Sequence, residues 1–569
     1  MELTRRQFIF GSVSSIGLIA NPAIAKLSKA HRTAEVKIDY TNSAFSILNR
    51  ISFGATPAEK QRLIDMGLKK YLEWQLNPDD SKDAISNERI TKAVLHIEYK
   101  AKEMKPGDKP EDNYPAVKED RPLLALNAPI DTLWRLTDNK KINGNEQNRP
   151  AQEVRAATWI RAVYSEWQLR EVMVEFWHNH FNVNAFGDPH IAAVFPIYDA
   201  IMRKNCFGNF RIFLEDIAQS TAMLFYLNNA KSKASPANEN YARELFELHT
   251  LGADNYYNNL YNRWREVPGA VKGHPIGYID QDVYEAARSF TGWTIEDGSN
   301  TGKGTIFPST GKFTYFDGWH DNYQKRVLGT EFDPNSPPMA DGREVLDLLA
   351  AHHGTALNLC SKLCRRFVSD EPPAELVKKA AITWIKYANH PDQIKYVLKT
   401  ILLSHEFVKE DDKVKRPFDY VTSFLRMTGA DFMPNENLFN LVADTGYKQF
   451  AWPTPTGHPD IAQYWLNTNS TLGSWNIIAA LIGGEIKGVN FDIAVQTPKD
   501  IRSSGEIITY WVKRLINKDP DENLLYALMQ YMPNPIDRNF VPDMTNKDVN
   551  ASVQQMVMVV AMLPDFQVR

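Results

Sequence analysis

The sequence predicts a mostly α fold: a large multi-helical single chain with long loops and a few short strands. Three observations predict it. Apolar residues recur at helical spacing behind capping residues along most of the chain. Stretches crowded with Pro, Gly, Asn and charge separate these runs and carry neither period. No internal repeat of fixed period is present, which argues against a solenoid or a propeller. The chain has 569 residues, 43% hydrophobic and 24% charged, enough to bury a large core. Its net charge of −4 offers no basic face, so nucleic-acid binding is not expected.

The elements follow in order. Thr4-Arg5-Arg6-Gln7-Phe8-Ile9 resembles the twin-arginine export consensus, with Arg5, Arg6 and Phe8 as its signal residues. An apolar run follows from Phe8 to Ala20. It is too short to span a bilayer of roughly 30 Å, which takes about 20 residues. Ala23-Ile24-Ala25 then supplies a small-x-small cleavage pattern. Residues 1–25 therefore read as a twin-arginine signal peptide. The partner this implies is the twin-arginine translocase, and the destination is the periplasm. No membrane span is expected after cleavage. The competing reading, a cytoplasmic N-terminal helix, is opposed by Gly11, Gly17 and Pro22. Without 1–25, which carries Glu2, Arg5 and Arg6, the net charge is near −5.

Residues 26–43 read as a linker and 44–569 as the helical domain. Thr56 followed by Pro57 is an N-cap with proline at the first helical position, and Gly67 marks that helix's end. Residues 99–121, dense in Lys, Glu, Asp and Pro, predict an exposed charged insertion. Helical patterns cover 151–181, 208–228, 239–251 and 281–292. The stretch 253–335 is loop-rich: a long surface loop over 253–278, then loops with short strands from 295. Helices resume over 342–429. Residues 430–475 mix Pro, Gly and aromatics, and the tail from 497 is helical.

Four dense regions can carry chemistry. On a helix, Glu171, Glu175 and His178 share one stripe, opposite Leu169, Val172, Met173, Phe176, Trp177 and His180. Glu175 and His178 have the i,i+3 carboxylate–imidazole spacing of helix-bundle metal sites. His180 joins them only if the chain extends at Trp177. The competing reading is hydrogen-bonded histidines among aromatics, with Glu175 in a salt bridge. In the second region Asn240, Glu244 and Glu247 line one stripe, suited to a hard cation or to acid/base work. The competing reading is a buried ion network with Arg155, Arg161 or Arg288. In the third, Asp280 caps a helix whose first turn carries Asp282 and Glu285. In the fourth, Asp317, His320 and Asp321 sit among aromatics in a loop that either adds ligands or simply turns. A rigid aromatic loop over Pro453–Pro459 with Tyr464 and Trp465 lines a binding surface or packs.

Absences narrow the field. The chain lacks a Gly-x-Ser-x-Gly elbow, His-Glu-x-x-His, phosphate and dinucleotide Gly-rich loops, and Cys-x-x-Cys-His. Only Cys206, Cys360 and Cys364 occur. Cys360 and Cys364, at i,i+4 on a helix, are poorly placed for a disulfide and read as two buried thiols.

Several stretches together are similar to domain-of-unknown-function family 1800. They are Leu48-Asn-Arg-Ile-Ser-Phe53-Gly54-Ala-Thr56-Pro, Glu175-Phe-Trp-His-Asn-His-Phe181, Asn238-Glu-Asn-Tyr-Ala-Arg-Glu-Leu-Phe-Glu-Leu248 and Asp282-Val-Tyr-Glu-Ala-Ala-Arg-Ser-Phe-Thr-Gly-Trp293. Lys362-Leu363 with Arg366-Phe367-Val368, Lys415-Arg416-Pro417 and Pro455-Thr-Gly457-His-Pro459 continue the likeness in order from about 44 to 566. Two departures stand out: Ser220-Thr221 replaces the usual Asp-Pro, and His458 stands where a Trp is usual. The resemblance implies a largely helical, exported bacterial protein and a neighbour from family 1501, whose members look sulfatase-like. It supplies no catalytic residues.

Two functional expectations follow. The first is a periplasmic enzyme with Glu244, Glu247 and His178 as catalytic residues. In it Glu175, His178, His180, Glu244 and Glu247 would converge on a divalent metal ion, with Asp282 and His320 as outlying candidates. The alternative is a non-catalytic envelope partner of the sulfatase-like neighbour, meeting it through exposed aromatics at Trp293, Trp319 and Trp465.

Overall fold

Capping chemistry sets the helix starts. The computed structural model of the chain describes residues 40–104, 106, 109, 112–409 and 413–569. The signal residues Arg5, Arg6, Phe8, Ala23 and Ala25 lie outside the described residues. The first helices are α1 (Tyr40–Ile51), α2 (Pro57–Met66), α3 (Leu68–Gln75) and α4 (Ala84–Lys92). Thr56 Oγ1 accepts the Glu59 N–H at 3.2 Å, as its position predicts.

The charged stretch after α4 is exposed, but its ends pair. β1 (Val94–Tyr99) and β2 (Val117–Pro122) form an antiparallel hairpin. Lys118-Glu-Asp-Arg121 has no apolar alternation, so composition alone conceals the second strand. Buried Arg149 ties the hairpin down. It donates to the carbonyls of Leu95 (3.1 Å) and Pro122 (3.2 Å) and pairs with Glu153 (3.0 Å).

Helices α5 (Ile130–Trp134), α6 (Gly144–Tyr164), α7 (Gln168–His180) and α8 (Pro189–Asn205) build the centre. The run expected over 151–181 is broken between α6 and α7. Ser165 Oγ donates to Asp83 (2.7 Å) and accepts the Trp167 N–H (3.0 Å), turning the chain. Gln168 Nε2 then takes up the carbonyls of Ala162 and Ser165. α7 is buried along its length except at Asn179, and α1, α3, α6 and α8 pack around it.

Next come α9 (Phe210–Ala218) and α10 (Thr221–Tyr226), which open on Asn209 and Ser220 caps. Ser220 Oγ accepts the Met223 N–H at 3.3 Å, so the unusual Ser220-Thr221 keeps a helix start. α11 (Asn240–Glu244) runs into a π-helical turn, Leu245–His249. The loop 253–278 has 3-10 turns and its own small core of Leu260, Val267, Ala270 and Ile279. After α12 (Asp280–Ser289) come two antiparallel pairs: β3 (Trp293–Asp297) with β4 (Ser309–Tyr315), and β5 (Lys325–Val327) with β6 (Thr330–Phe332).

The second half is a stack of short helices. They are α13 (Ala340–Ala351), α14 (His353–Phe367), α15 (Ala374–Lys386), α16 (Gln393–Leu402), α17 (His405–Val408) and α18 (Pro417–Thr428). Cys206, Cys360 and Cys364 are free and buried. Every residue of α18 is buried, and the Leu48–Pro57 stretch docks on it. Ser423 Oγ donates to Phe53 O at 2.7 Å, and Arg426 Nε to Gly54 O at 3.1 Å. The region 430–475 is more helical than its composition suggests, with β7 (Asp431–Phe432), α19 (Glu436–Asp444), α20 (Ala462–Trp465) and α21 (Thr468–Ile482). β8 (Val489–Asn490) pairs with β7. Five helices finish the fold: α22 (Ile493–Gln496), α23 (Ser504–Ile516), α24 (Glu522–Met529), α25 (Lys547–Met562) and α26 (Pro564–Gln567).

The fold is mostly α, and one apolar core runs from α1 to Phe566. No helix among the described residues is long and apolar enough to cross a membrane. Trp293, Trp319 and Trp465 are 0%, 6% and 3% exposed, so the aromatic contact surface expected of them is core instead.

Candidate functional site

Helix α7 cannot leave its acids uncompensated, because nearly all of it is buried. Glu171 takes Arg203 (3.1 and 3.0 Å) and Arg170 (3.2 Å). Arg203 also holds Asp199 at 2.8 Å, and Asp199 accepts from His178 Nε2 at 3.0 Å. Burial alone would raise the Asp199 carboxyl, but Arg203, His178 and Arg161 outweigh it and hold it well below the usual range. One turn on, Glu175 accepts from Arg416 (2.7 Å) and from the Tyr447 hydroxyl (3.1 Å). Glu175 and His178 therefore meet different partners on different elements.

His180 sits in a third environment. Its Nε2 donates to the His249 carbonyl at 3.2 Å, which leaves Nδ1 to accept from Lys362 Nζ at 3.3 Å. Burial, Lys362 and His249 hold its imidazole neutral. Burial also lowers the Lys362 ammonium to about 8. Lys362 donates as well to Leu248 O at 3.0 Å, one of the carbonyls of the π turn. Asn358, one helical turn earlier on α14, donates to Thr250 O at 2.7 Å. Thr250 Oγ1 reaches back to Leu245 O at 2.6 Å. These three side chains satisfy carbonyls that a wider turn leaves without ordinary i→i−4 partners.

The π turn carries the last two expected residues. Glu244 closes α11 and Glu247 lies in the turn, both half-buried. Neither has a hydrogen bond or ion pair among the described residues. The arginines considered as their partners are engaged elsewhere: Arg155 with Gln449 O (2.9 Å), Arg161 with Asp199 (3.7 Å) and Arg288 with Asp321 (2.8 Å). Burial first, and then the charge of Glu247, raises the Glu244 carboxyl; Arg243 opposes the shift. Two phenols lie within electrostatic reach. Tyr226 is pushed up to about 12 by burial and Glu244, and its hydroxyl donates to Pro453 O at 3.0 Å. Tyr278 is 1% exposed, is influenced by both Glu247 and Glu244, and has a hydroxyl with no partner among the described residues.

The five residues expected to share a metal thus stand apart: Glu175 with Arg416, His178 with Asp199, His180 with Lys362, and Glu244 with Glu247 on the π turn. No group of three or more His, Cys, Asp or Glu side chains among the described residues is placed to hold a metal ion. That five-residue set does not fit a metal centre, and no step is derived through one. The outlying candidates are structural. Asp282, rather than Asp280, serves the start of α12, accepting the Ile279 N–H (3.0 Å) and the Leu328 N–H (2.7 Å). His320 is buried between Thr291 O (2.8 Å) and Asp341 (3.3 Å).

The aromatic loop closes over the end of α7. Asn179, the one residue of that helix that is only partly buried, donates to His458 O (2.9 Å) and accepts the His458 N–H (2.6 Å). The His458 ring stacks on Tyr447 at 4.4 Å and 11°, so the smaller ring at this position still packs. Local reading overlooked Arg416, Lys362, Tyr226 and Tyr278. A signal existed for two of them: Lys362 interrupts the apolar Leu359-Cys360…Leu363-Cys364, and Arg416 stands directly before a proline-started buried helix.

Most of the resembling stretches, far apart in sequence, meet here. Glu175 joins Arg416, His180 joins Lys362, Asn179 joins Gly457-His458, and Gln168 at the start of α7 accepts the Phe53 N–H (3.0 Å). No curated protein and no solved structure matches the chain. The family described as protein of unknown function (DUF1800) matches residues 46–568, nearly the whole chain, and the chain belongs to that family.

Proposed function

We propose that this protein is an exported enzyme whose acid–base step is carried by Glu244 and Glu247 on the π turn. The observation that supports it is the contrast in pairing. The acids of α7, Glu171 and Glu175, are both held by arginine, whereas these two half-buried carboxylates have no hydrogen bond or ion pair among the described residues. Unpaired, perturbed carboxylates and π-helical turns both concentrate at functional sites. In this reading Glu244 keeps its proton to higher pH than an ordinary glutamate and serves as the donor. Glu247 is the acceptor. Acid and base one turn apart on one helix act on one face of a substrate. They are not arranged on opposite sides of a bond, as glycosidic displacement requires.

The test is genetic and biophysical together. Glu247→Gln and Glu244→Gln should fold and be exported at wild-type levels, yet fail to complement a strain lacking the gene. Full complementation by both would refute the assignment. The Glu244→Gln protein should also be more stable at pH 7, by about 0.5–1 kcal/mol, because the buried like-charge contact is gone. The sign follows from linkage: the folded pKa of Glu244 is raised, so its carboxylate destabilises the native state above that pKa. The gain should therefore fade as pH falls through the raised value and be gone below the ordinary glutamate range, which urea unfolding at pH 7 and pH 4 would measure.

Export rests on the Thr4–Ile9 motif and the Ala23-Ile24-Ala25 cleavage pattern. Replacing Arg5 and Arg6 together with Lys should leave an uncleaved precursor in the cytoplasm. In the wild type, N-terminal sequencing of the periplasmic form should begin at Lys26. Unchanged export of the double variant would refute the route.

A further inference from the structure

The interior where α7, α14 and α18 meet holds more guanidinium than its acids can satisfy. Arg366 on α14 is 1% exposed, and none of its three nitrogens has a hydrogen-bond acceptor among the described residues. Its nearest carboxylate oxygens are too far away: Glu175 at 4.0 Å from Nε and Asp419 at 3.9 Å from Nη2. Both acids are already taken. Arg416 holds Glu175 (2.7 Å) and Asp419 (2.9 Å), and Arg569 reaches Asp419 with Nη1 at 3.2 Å. Asp460, also within electrostatic reach, pairs with Lys413 at 3.0 Å.

Arg569 repeats the anomaly. It is 6% exposed, and its Nε and Nη2 have no partner among the described residues. Arg366 Nη2 lies 3.9 Å and Arg569 Nη1 3.2 Å from the two oxygens of the one Asp419 carboxylate, so the two guanidiniums are near neighbours of like charge. A buried lysine in such a place can give up its proton, but a guanidinium does not. Water supplies acceptor oxygens but no charge. An anion supplies both.

We propose that Arg366 and Arg569 bind a small inorganic monoanion, of the size and charge of chloride, inside the core beside Asp419. The ion accepts from the nitrogens that no protein group serves and separates the two like charges. It is a structural ligand, distinct from the Glu244–Glu247 pair, and does not depend on that assignment.

Halide content and stability test it on the full mature chain. Protein desalted into gluconate and then denatured should release chloride in stoichiometric amount, as read by ion chromatography. Its thermal midpoint at fixed ionic strength should be about 2–4 °C higher in saturating chloride or bromide than in gluconate. Crystals grown in bromide should show an anomalous peak between Arg366 and Arg569. Arg366→Met should abolish both the released halide and the anion dependence. If that variant does not fold, the bromide peak in the wild type decides alone. Ordered water only at this position, a stabilisation produced by sulfate but not by halide, or halide retained by Arg366→Met would each overturn the proposal.

Discussion

Replacing Arg416 with Met should lower the free energy of unfolding by about 3–5 kcal/mol, the usual cost of removing one partner from a buried ion pair. Arg416 is 2% exposed and is the hub of its cluster, bonded to Glu175 and to Asp419. Without it, Glu175 keeps only the Tyr447 hydroxyl within hydrogen-bond distance, and the Arg366 guanidinium is 4.0 Å away. Denaturant unfolding followed by far-UV circular dichroism measures the loss. Adding Glu175→Gln should recover part of it, since the stranded charge then disappears. A loss under about 1 kcal/mol would show that the remaining arginines take over. The acid limb should change too. Burial would raise the Asp419 carboxyl, but Arg416, Arg569 and Arg366 hold it well below the usual range. A depressed carboxyl stabilises the fold above the ordinary Asp pKa, and that stability is lost as pH falls through the depressed value. Arg416→Met should flatten this acid-side slope.

Gly457→Ala should cost about 2–3 kcal/mol, although it adds a single methyl group. Two constraints coincide there. The backbone has φ +69°, and an added Cβ would stand 2.2 Å from the Asn179 carbonyl oxygen. Flexible side chains can yield to such a contact, but a carbonyl at the end of a buried helix cannot. The loop would lift from α7, and both Asn179 bonds to His458 would go with it. Limited proteolysis is the discriminating measurement. Cleavage between 450 and 465 should accelerate at temperatures where the wild-type loop is still protected.

Helix positions were legible because their signals are local. Thr56 and Pro57 announce α2, and the 3.6-residue apolar spacing of α14 or α18 needs no knowledge of the neighbours. Placement of the π turn was not legible. It is set by Lys362 and Asn358 reaching in from α14, 114 and 108 residues away from the carbonyls they serve. The Glu175 stripe was correctly placed on one helix, and the salt-bridge reading of Glu175 holds. Its partner Arg416 is 241 residues distant, and nothing local ties the two. For Glu244 and Glu247 the shared face was visible, whereas the missing counter-ion is a property of the packed structure. Aromatic residues in Gly- and Asp-rich loops suggested exposure at Trp293 and Trp319. Loop composition reports on backbone conformation, not on which way a ring is turned.

The pairing of Glu175 with Arg416 also has a timetable. A ribosome adding about 5–20 residues per second needs about 12–50 s to reach Arg416 after it has made Glu175. Arg50 waits longer still, for the Phe407 carbonyl 357 residues downstream. Throughout that interval α7 can pack on α1, α3, α6 and α8 and Glu171 can meet Arg170 and Arg203, but Glu175 is without the guanidinium that pairs with it. A slow codon run before residue 416 would therefore lengthen the time Glu175 spends unpaired more than the same run after it.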